Sequence, residues 1–179
     1  EIPISQFLPT HINRNEALFQ SGMEFAKAGG VIDFTGNEDI DYWETICDEV
    51  RVCKGIRRLL ESGASQDSFT ISSDGQGSLP IFNSQGEYQG IGIGKASCLV
   101  KEVRECVERE DIPLETALRA ITINPARILK LGKKGRIQPG CDADICLLTK
   151  DGLAVDTVMA RGKILVQGGE PVVKGTFEK

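Results

Sequence analysis

One histidine occurs among the 179 residues of this chain, His11, in the stretch FLPTHINRN. It follows an apolar approach and a Pro-Thr step, and Arg14 stands one turn beyond it between two asparagines. A second stretch with chemical potential is ISSDGQGS, in which Asp74 follows an apolar, β-branched run. A neutral imidazole and a carboxylate are ordinary ligands for a divalent transition metal. An aspartate that touches metal-bound water can also take its proton. The guanidinium of Arg14 offers a planar fork suited to a carboxylate on a substrate. Read singly, each has a plainer use: a hydrogen-bonded structural histidine, a turn or cap aspartate, a solvated surface arginine. Only convergence raises them above that, and convergence depends on the elements that carry them.

The first part of the chain alternates strand and helix signals. PISQFLPTHI reads as an extended, proline-punctuated run with a strand over 2–8. RNEALFQSGMEFAKAG then places Ala17, Leu18, Met23, Phe25 and Ala26 near helical spacing before a Gly29-Gly30 stop. GVIDFTG is a short strand ending in a turn, and a polar loop with Tyr42 and Trp43 leads into TICDEVRVCKGIRRLLESG. There Ile46, Val50, Cys53, Ile56, Leu59 and Leu60 mark one helical face. DSFTISSDGQGS is a strand that runs into an Asp-Gly turn. Such alternation implies parallel βα units. Residues just beyond the carboxyl ends of their strands converge on one rim, where barrel enzymes place their chemistry. His11 and Asp74 both hold that position.

Helices are expected over 96–110 and 114–123, and INPARILKLG restarts a short helix with Pro125 in its first turn. From Gly135 the pattern changes to short β runs between Gly and Pro turns: GRIQPG, ADICLLT and DTVMARGKILVQGGEPVV. The shift near Leu131 marks the expected boundary between a βα region, 1–131, and a small β appendage, 132–179.

Composition narrows the function classes. The chain is 40% hydrophobic, enough for a real core, and 21 Lys plus Arg against 26 Asp plus Glu give a net charge of −5. No basic run is long enough to track phosphates, so nucleic acid is not an expected partner. No apolar run approaches bilayer length, so no membrane is expected either. Six cysteines, with no C-x-x-C pair and one histidine in the whole chain, read as reduced thiols of a cytoplasmic protein. The chain opens at Glu1, without a methionine or a polar lead-in, and is expected to be a segment of a longer one. GIGIGKAS lacks the spacing of a phosphate loop, since Gln89 stands where glycine is needed and Ala96 follows Lys95, and it reads as a flexible loop before a helix. Glu102, Glu105 and Glu108 mixed with Lys101, Arg104 and Arg109 read as a solvated helix face. CDADIC, as a strand, sends Cys141 and Cys146 to opposite faces, which argues for packing over metal binding.

Several stretches, in order, carry a family resemblance. PGCDADICLL followed by VDTVMARGKILVQGGEPV resembles the strand-rich tail of the amidohydrolase superfamily, and TINPARIL the helix before it. LPTHINRN, GGVIDFTG, ISSDGQGS and the ending VVKGTFE resemble, within it, the isoaspartyl (β-aspartyl) dipeptidase family, from end to end of the chain. The resemblance implies an α/β fold. It would be the C-terminal part of a (β/α)8 TIM-like, metal-dependent hydrolase barrel over 1–131, followed by the C-terminal part of a small β-sandwich over 132–179. It implies a zinc ligand at His11, a substrate α-carboxylate on Arg14, and a zinc ligand that is also general base and then acid at Asp74. It implies substrate binding by Ser78, with Gln76 standing where asparagine is common.

The family's site holds two zinc ions. Its His-x-His pair, carboxylated lysine and remaining histidine belong upstream of the matched region. The expected partners are therefore an isoaspartyl dipeptide, the missing N-terminal half and further copies in a homo-oligomer, and this segment alone is expected to be inactive. The alternative is a catalytically inert amidohydrolase-like domain kept for assembly or ligand binding.

Overall fold

The computed structural model of the protein describes residues 2–83 and 85–175. In chain order the helices are α1 (Glu16–Lys27), α2 (Ile40–Cys47), α3 (Val52–Glu61), α4 (Cys98–Glu110), α5 (Leu114–Arg119) and α6 (Ile123–Ile128). The strands are β1 (Ile32–Thr35), β2 (Phe69–Ser72), β3 (Ser78–Phe82), β4 (Tyr88–Ile93), β5 (Ile145–Leu148), β6 (Val155–Ala160), β7 (Lys163–Gln167) and β8 (Glu170–Pro171). Two compact units result, the first ending at Ile121 and the second starting at Thr122. α6 falls in the second unit, ahead of the change in composition at Leu131. Gly135 returns against it so closely that a Cβ there would lie 2.7 Å from the Thr122 carbonyl.

In the first unit β1 and β2 pair in parallel, with Ile32 opposite Phe69 and Thr35 opposite Ser72. All four residues of β1 are buried, as expected for a strand covered on both faces. Phe19 of α1, Phe34 of β1, Phe69 of β2 and Ile56 and Leu59 of α3 are fully buried around this pair. Gly55 allows α3 to approach, because a Cβ there would meet the Phe34 ring at 2.6 Å. Asn15 starts α1 by accepting the Leu18 N–H at 2.9 Å.

The run over 2–8 is not a strand. Ile4–Gln6 forms a single 3-10 turn, and Pro3 and Pro9 have no N–H to give a ladder. Strand-like bonding begins at Pro9, whose carbonyl accepts the Asp33 N–H at 2.9 Å, while the Asp33 carbonyl accepts the Ile12 N–H at 3.3 Å. A regular parallel ladder would join Asp33 to residues two apart. The extra residue is taken up at His11, with φ 59. On the far side of β2, Ile71 N–H donates to the Ala120 carbonyl at 3.0 Å.

Three further expectations change. Tyr42 and Trp43 lie in α2 rather than in a loop, and the long helix expected after them is split by Asp48, φ 55, so that α3 begins at Val52 and Ile46 is 60% exposed. Residues 90–93 of GIGIG belong to strand β4, not a loop, and pair antiparallel with β3, with Gly94 just past its end. The turn between them is held by Asn83, whose side chain accepts the N–H groups of Gln85 and Glu87. Phe82 stacks on Tyr42 at 5.9 Å, tying this hairpin to α2.

In the second unit β5 to β8 form one antiparallel sheet in sequence order. Arg161-Gly162 and Gly168-Gly169, all at positive φ, make the two-residue turns between β6 and β7 and between β7 and β8. This is the only sheet of that unit among the described residues, and Thr176, Phe177 and Glu178 of the VVKGTFE ending lie outside them. GRIQPG forms no strand. Cys141 sits in a turn ahead of β5, its N–H on the Gln138 carbonyl, so a shared strand does not set it against Cys146. Among the described residues no helix is long and apolar enough to cross a membrane.

Candidate functional site

The carboxyl ends of the 9–12 segment, β1 and β2 lie side by side, with one left-handed residue inside the 9–12 segment and another two residues past β2. His11 has φ 59 and Asp74 φ 46. Histidine and aspartate are among the residues that visit this region most readily, yet such backbone persists only where surroundings enforce it. For Asp74 the enforcement is visible. Its carbonyl accepts the Gly77 N–H at 2.9 Å, and Gly94 N–H donates to the Gly77 carbonyl at 2.9 Å. A Cβ on Gly77 would lie 2.7 Å, and one on Gly94 2.8 Å, from the Asp74 carbonyl oxygen. Asp74 therefore rests in a cradle of two glycines, one of them supplied by the β3–β4 hairpin.

These turns bring together side chains 63 positions apart. His11 Nε2 lies 3.4 Å from Asp74 Oδ2, and Arg14 Nη2 lies 4.0 Å from the same oxygen. The His11 and Asp74 side chains are 36% and 42% exposed, so both are reachable. Ser78, the fourth residue singled out in the sequence, opens β3 at an exposed position opposite Ile93.

A buried frame stands behind these groups. Asn13 spans to β1, its amide donating to the Thr35 carbonyl at 3.0 Å and its oxygen accepting the Thr35 N–H at 2.8 Å. Glu49, 2% exposed, accepts from Arg14 Nη1 at 3.2 Å and from Asn13 at 3.4 Å. Burial raises the Glu49 carboxyl above its ordinary range, and Arg14 works against that rise. The loop carrying Glu49 is fixed by Val50 N–H on the Asn13 carbonyl at 2.8 Å, and by Arg51, which reaches Asp41, Glu44 at 3.0 Å and Glu105 at 3.1 Å. On β1 the buried Asp33 carboxylate gathers three hydroxyls: Thr10 at 2.9 Å, Thr70 at 2.6 Å and Ser72 at 2.5 Å. Thr10 Oγ1 is also 3.0 Å from His11 Nδ1.

Sequence reasoning missed Glu49, Asn13 and Asp33. Only the alternation in IDFT hinted at the last, since a carboxylate in an otherwise apolar strand needs partners. Glu102 and Glu105 also depart from the solvated face expected of them. Glu102 is wholly buried on α4, accepts the Asn37 N–H at 3.1 Å, and is pushed by burial up to about 7. Cys53, Cys98 and Cys106 are buried, and burial raises all three thiols, the first two to about 11, which suits packing rather than reactivity.

The His11–Asp74 pair fits a metal. Two ligands of a tetrahedral zinc with bonds of about 2.0–2.1 Å stand about 3.3 Å apart, and the Nε2–Oδ2 separation is 3.4 Å. Among the described residues no group of three or more His, Cys, Asp or Glu side chains is placed to hold an ion. This chain thus offers two donors of the three or four that such a site uses.

With that geometry in place, known proteins become informative. A crystal structure of β-aspartyl dipeptidase from Fervidobacterium islandicum AW-1, in complex with β-Asp-Leu dipeptide, matches at 36% identity and a TM-score of 0.81, over 98% of this chain and 43% of that one. A second structure of the β-aspartyl dipeptidase from that organism matches at 33% identity and 0.78, over 98% and 42%. Enamidase, an amidohydrolase superfamily member, shares the fold at 16% identity and 0.60, over 94% and 43%. The chain therefore spans less than half the length of the enzymes it matches. The amidohydrolase family model matches residues 23–165, which takes in β1, β2, Asp74 and most of the second unit. By that match and the dipeptidase likeness together, the chain belongs to the amidohydrolase family.

Proposed function

We propose that His11, Arg14, Asp74 and Ser78 are this chain's share of a metal-dependent hydrolytic site that cleaves β-aspartyl dipeptides. The observation that carries the proposal is the meeting of His11, Arg14 and Asp74 within 3.4–4.0 Å at one strand-end rim. The crystallised relative in complex with β-Asp-Leu supports the substrate class. His11 Nε2 and Asp74 Oδ2 would hold zinc, and the remaining ligands would come from the part of the fold outside this chain. Zinc bound there would polarise the scissile carbonyl and make a water nucleophilic at neutral pH.

The chain's own residues do the rest. Arg14, braced through Nη1 by Glu49, keeps Nη2 directed toward the site and receives the dipeptide's α-carboxylate there. Asp74 takes the proton of the attacking water on its carboxylate and returns it to the leaving amine nitrogen as the side-chain amide breaks. One aspartyl carboxylate and one amine result. Ser78, exposed at the start of β3, contributes a hydroxyl to the bound substrate.

The test is hydrolysis of β-Asp-Leu and α-Asp-Leu by the whole protein, before and after chelation. Turnover of the β-linked dipeptide that is lost with metal and restored by zinc supports the proposal. A zinc-loaded protein that binds β-Asp-Leu without turnover would instead favour an inert, ligand-binding domain.

A further inference from the structure

Thr10, and through it Asp33, meets His11 at Nδ1, while Asp74 faces Nε2. A threonine hydroxyl has one proton to give. Thr10 gives it to Asp33 Oδ2 at 2.9 Å. That carboxylate also receives Thr70 and Ser72 at 2.6 and 2.5 Å, so it acts as acceptor to all three hydroxyls. Thr10 Oγ1 then has only lone pairs left for His11 Nδ1, 3.0 Å away. The contact is favourable only if Nδ1 bears the hydrogen.

We propose that Asp33 and Thr10 are positioning residues that hold His11 in its Nδ1–H form and so present an unprotonated Nε2 toward Asp74. The 3.4 Å contact between Nε2 and Asp74 Oδ2 is the competing interaction, a hydrogen bond if Nε2 carries the proton; with Nδ1–H held by Thr10 it becomes a meeting of two acceptors that a cation between them relieves. The hub also explains why one carboxylate is buried on β1: it joins the 9–12 segment, through Thr10, to β2, through Thr70 and Ser72. The orientation of His11 is thereby tied to the register of the strands beneath it. The proposal rests on His11 being a metal ligand, but the state of its ring can be read without metal or substrate.

The experiment is 15N NMR of histidine-labelled, metal-free whole protein at about pH 8.5, above the ordinary histidine range. The His11 signal is identified by its loss in His11→Gln. We expect Nδ1–H to dominate in the wild type, Nε2–H to take over in Thr10→Val, and Thr10→Ser to restore the wild-type spectrum. Zinc affinity should fall about tenfold in Thr10→Val and recover in Thr10→Ser. A wild-type ring in the Nε2–H form, or a Thr10→Val spectrum unchanged from wild type, would overturn the assignment. If the spectra behave as expected but zinc affinity is the same in all three proteins, Thr10 does not act on a ligand and the proposal fails on that arm. Absence of dipeptidase activity in a protein with the expected spectra would count against the substrate reading alone.

Discussion

Arg14 is held by one nitrogen and leaves the other end of its fork toward Asp74. Glu49 accepts from Nη1 at 3.2 Å, and Nη2 stands 4.0 Å from Asp74. Arg14→Lys keeps the charge and loses the fork. Losing one charge-assisted hydrogen bond, about 1.5–3 kcal/mol, should lower kcat/KM for β-Asp-Leu about ten- to hundredfold with zinc content unchanged. Loss of zinc together with normal kinetics after zinc is restored would show a different role. Removing the brace instead, by Glu49→Gln, should raise KM more than it lowers kcat, because Arg14 stays charged but loses its anchor. Saturation kinetics separate the two. His11 was legible in the sequence because it is the chain's one histidine, and Arg14 because it stands one turn beyond it. Glu49 was not, since it lies in a run that reads as continuous helix and only the left-handed break at Asp48 turns it inward.

At the scale of elements, the β3–β4 hairpin fixes the Asp74 backbone by shape. Gly94 closes on the Asp74 carbonyl without a positive φ, so Gly94→Ala meets a steric block rather than a backbone penalty. We expect it to displace Asp74 and cut turnover of β-Asp-Leu at least tenfold while the melting temperature moves little. A melting shift with full activity would contradict that. The glycines of GIGIG were visible in the sequence, but their use was not, because a pattern of small residues does not say which carbonyl they approach.

Helix α4 gives the converse case. Its charges read as a solvated face, yet Glu102 is buried, with its carboxyl pushed from 4.5 to about 7. The folded chain thus keeps a proton there that the unfolded chain has released. Its contribution to stability is full below pH 4.5 and is lost as pH rises to about 7, by about 3 kcal/mol. Denaturant titrations between those pH values should show this decline in the wild type and a flatter profile in Glu102→Gln. Equal slopes in both would contradict it. Only packing against the loop at Asn37 decides that a glutamate on a mixed helix faces inward.

At the scale of the molecule, the parallel layer of the first unit is narrow, with the 9–12 segment on one side of β1 and Ala120 beyond β2. Phe7, Leu8, Pro9, Ile12, Leu18 and Phe25 line an apolar groove of about 430 Å³ along that first side. Open strand edges and uncovered apolar faces favour association. If the proposed function holds, residues 1–179 alone should therefore self-associate, bind zinc weakly and hydrolyse no dipeptide, and adding a segment that supplies the other zinc ligands should restore some of both functions. Light scattering and zinc titration check this, and a monodisperse, zinc-loaded, active monomer would contradict it. The order of βα units and the β-rich tail could be read from periodicity and turns. The division after Ile121 could not, because it depends on α6 packing back against Gly135 and not on composition. Asp74 carries the heaviest double role in the proposed site, holding metal and moving a proton. The decisive measurement is turnover of β-Asp-Leu by the whole protein carrying Asp74→Asn, a nearly isosteric change. We expect an unchanged melting temperature and a loss of at least about 10²–10⁴-fold in kcat, whereas turnover within twofold of wild type would contradict the assignment.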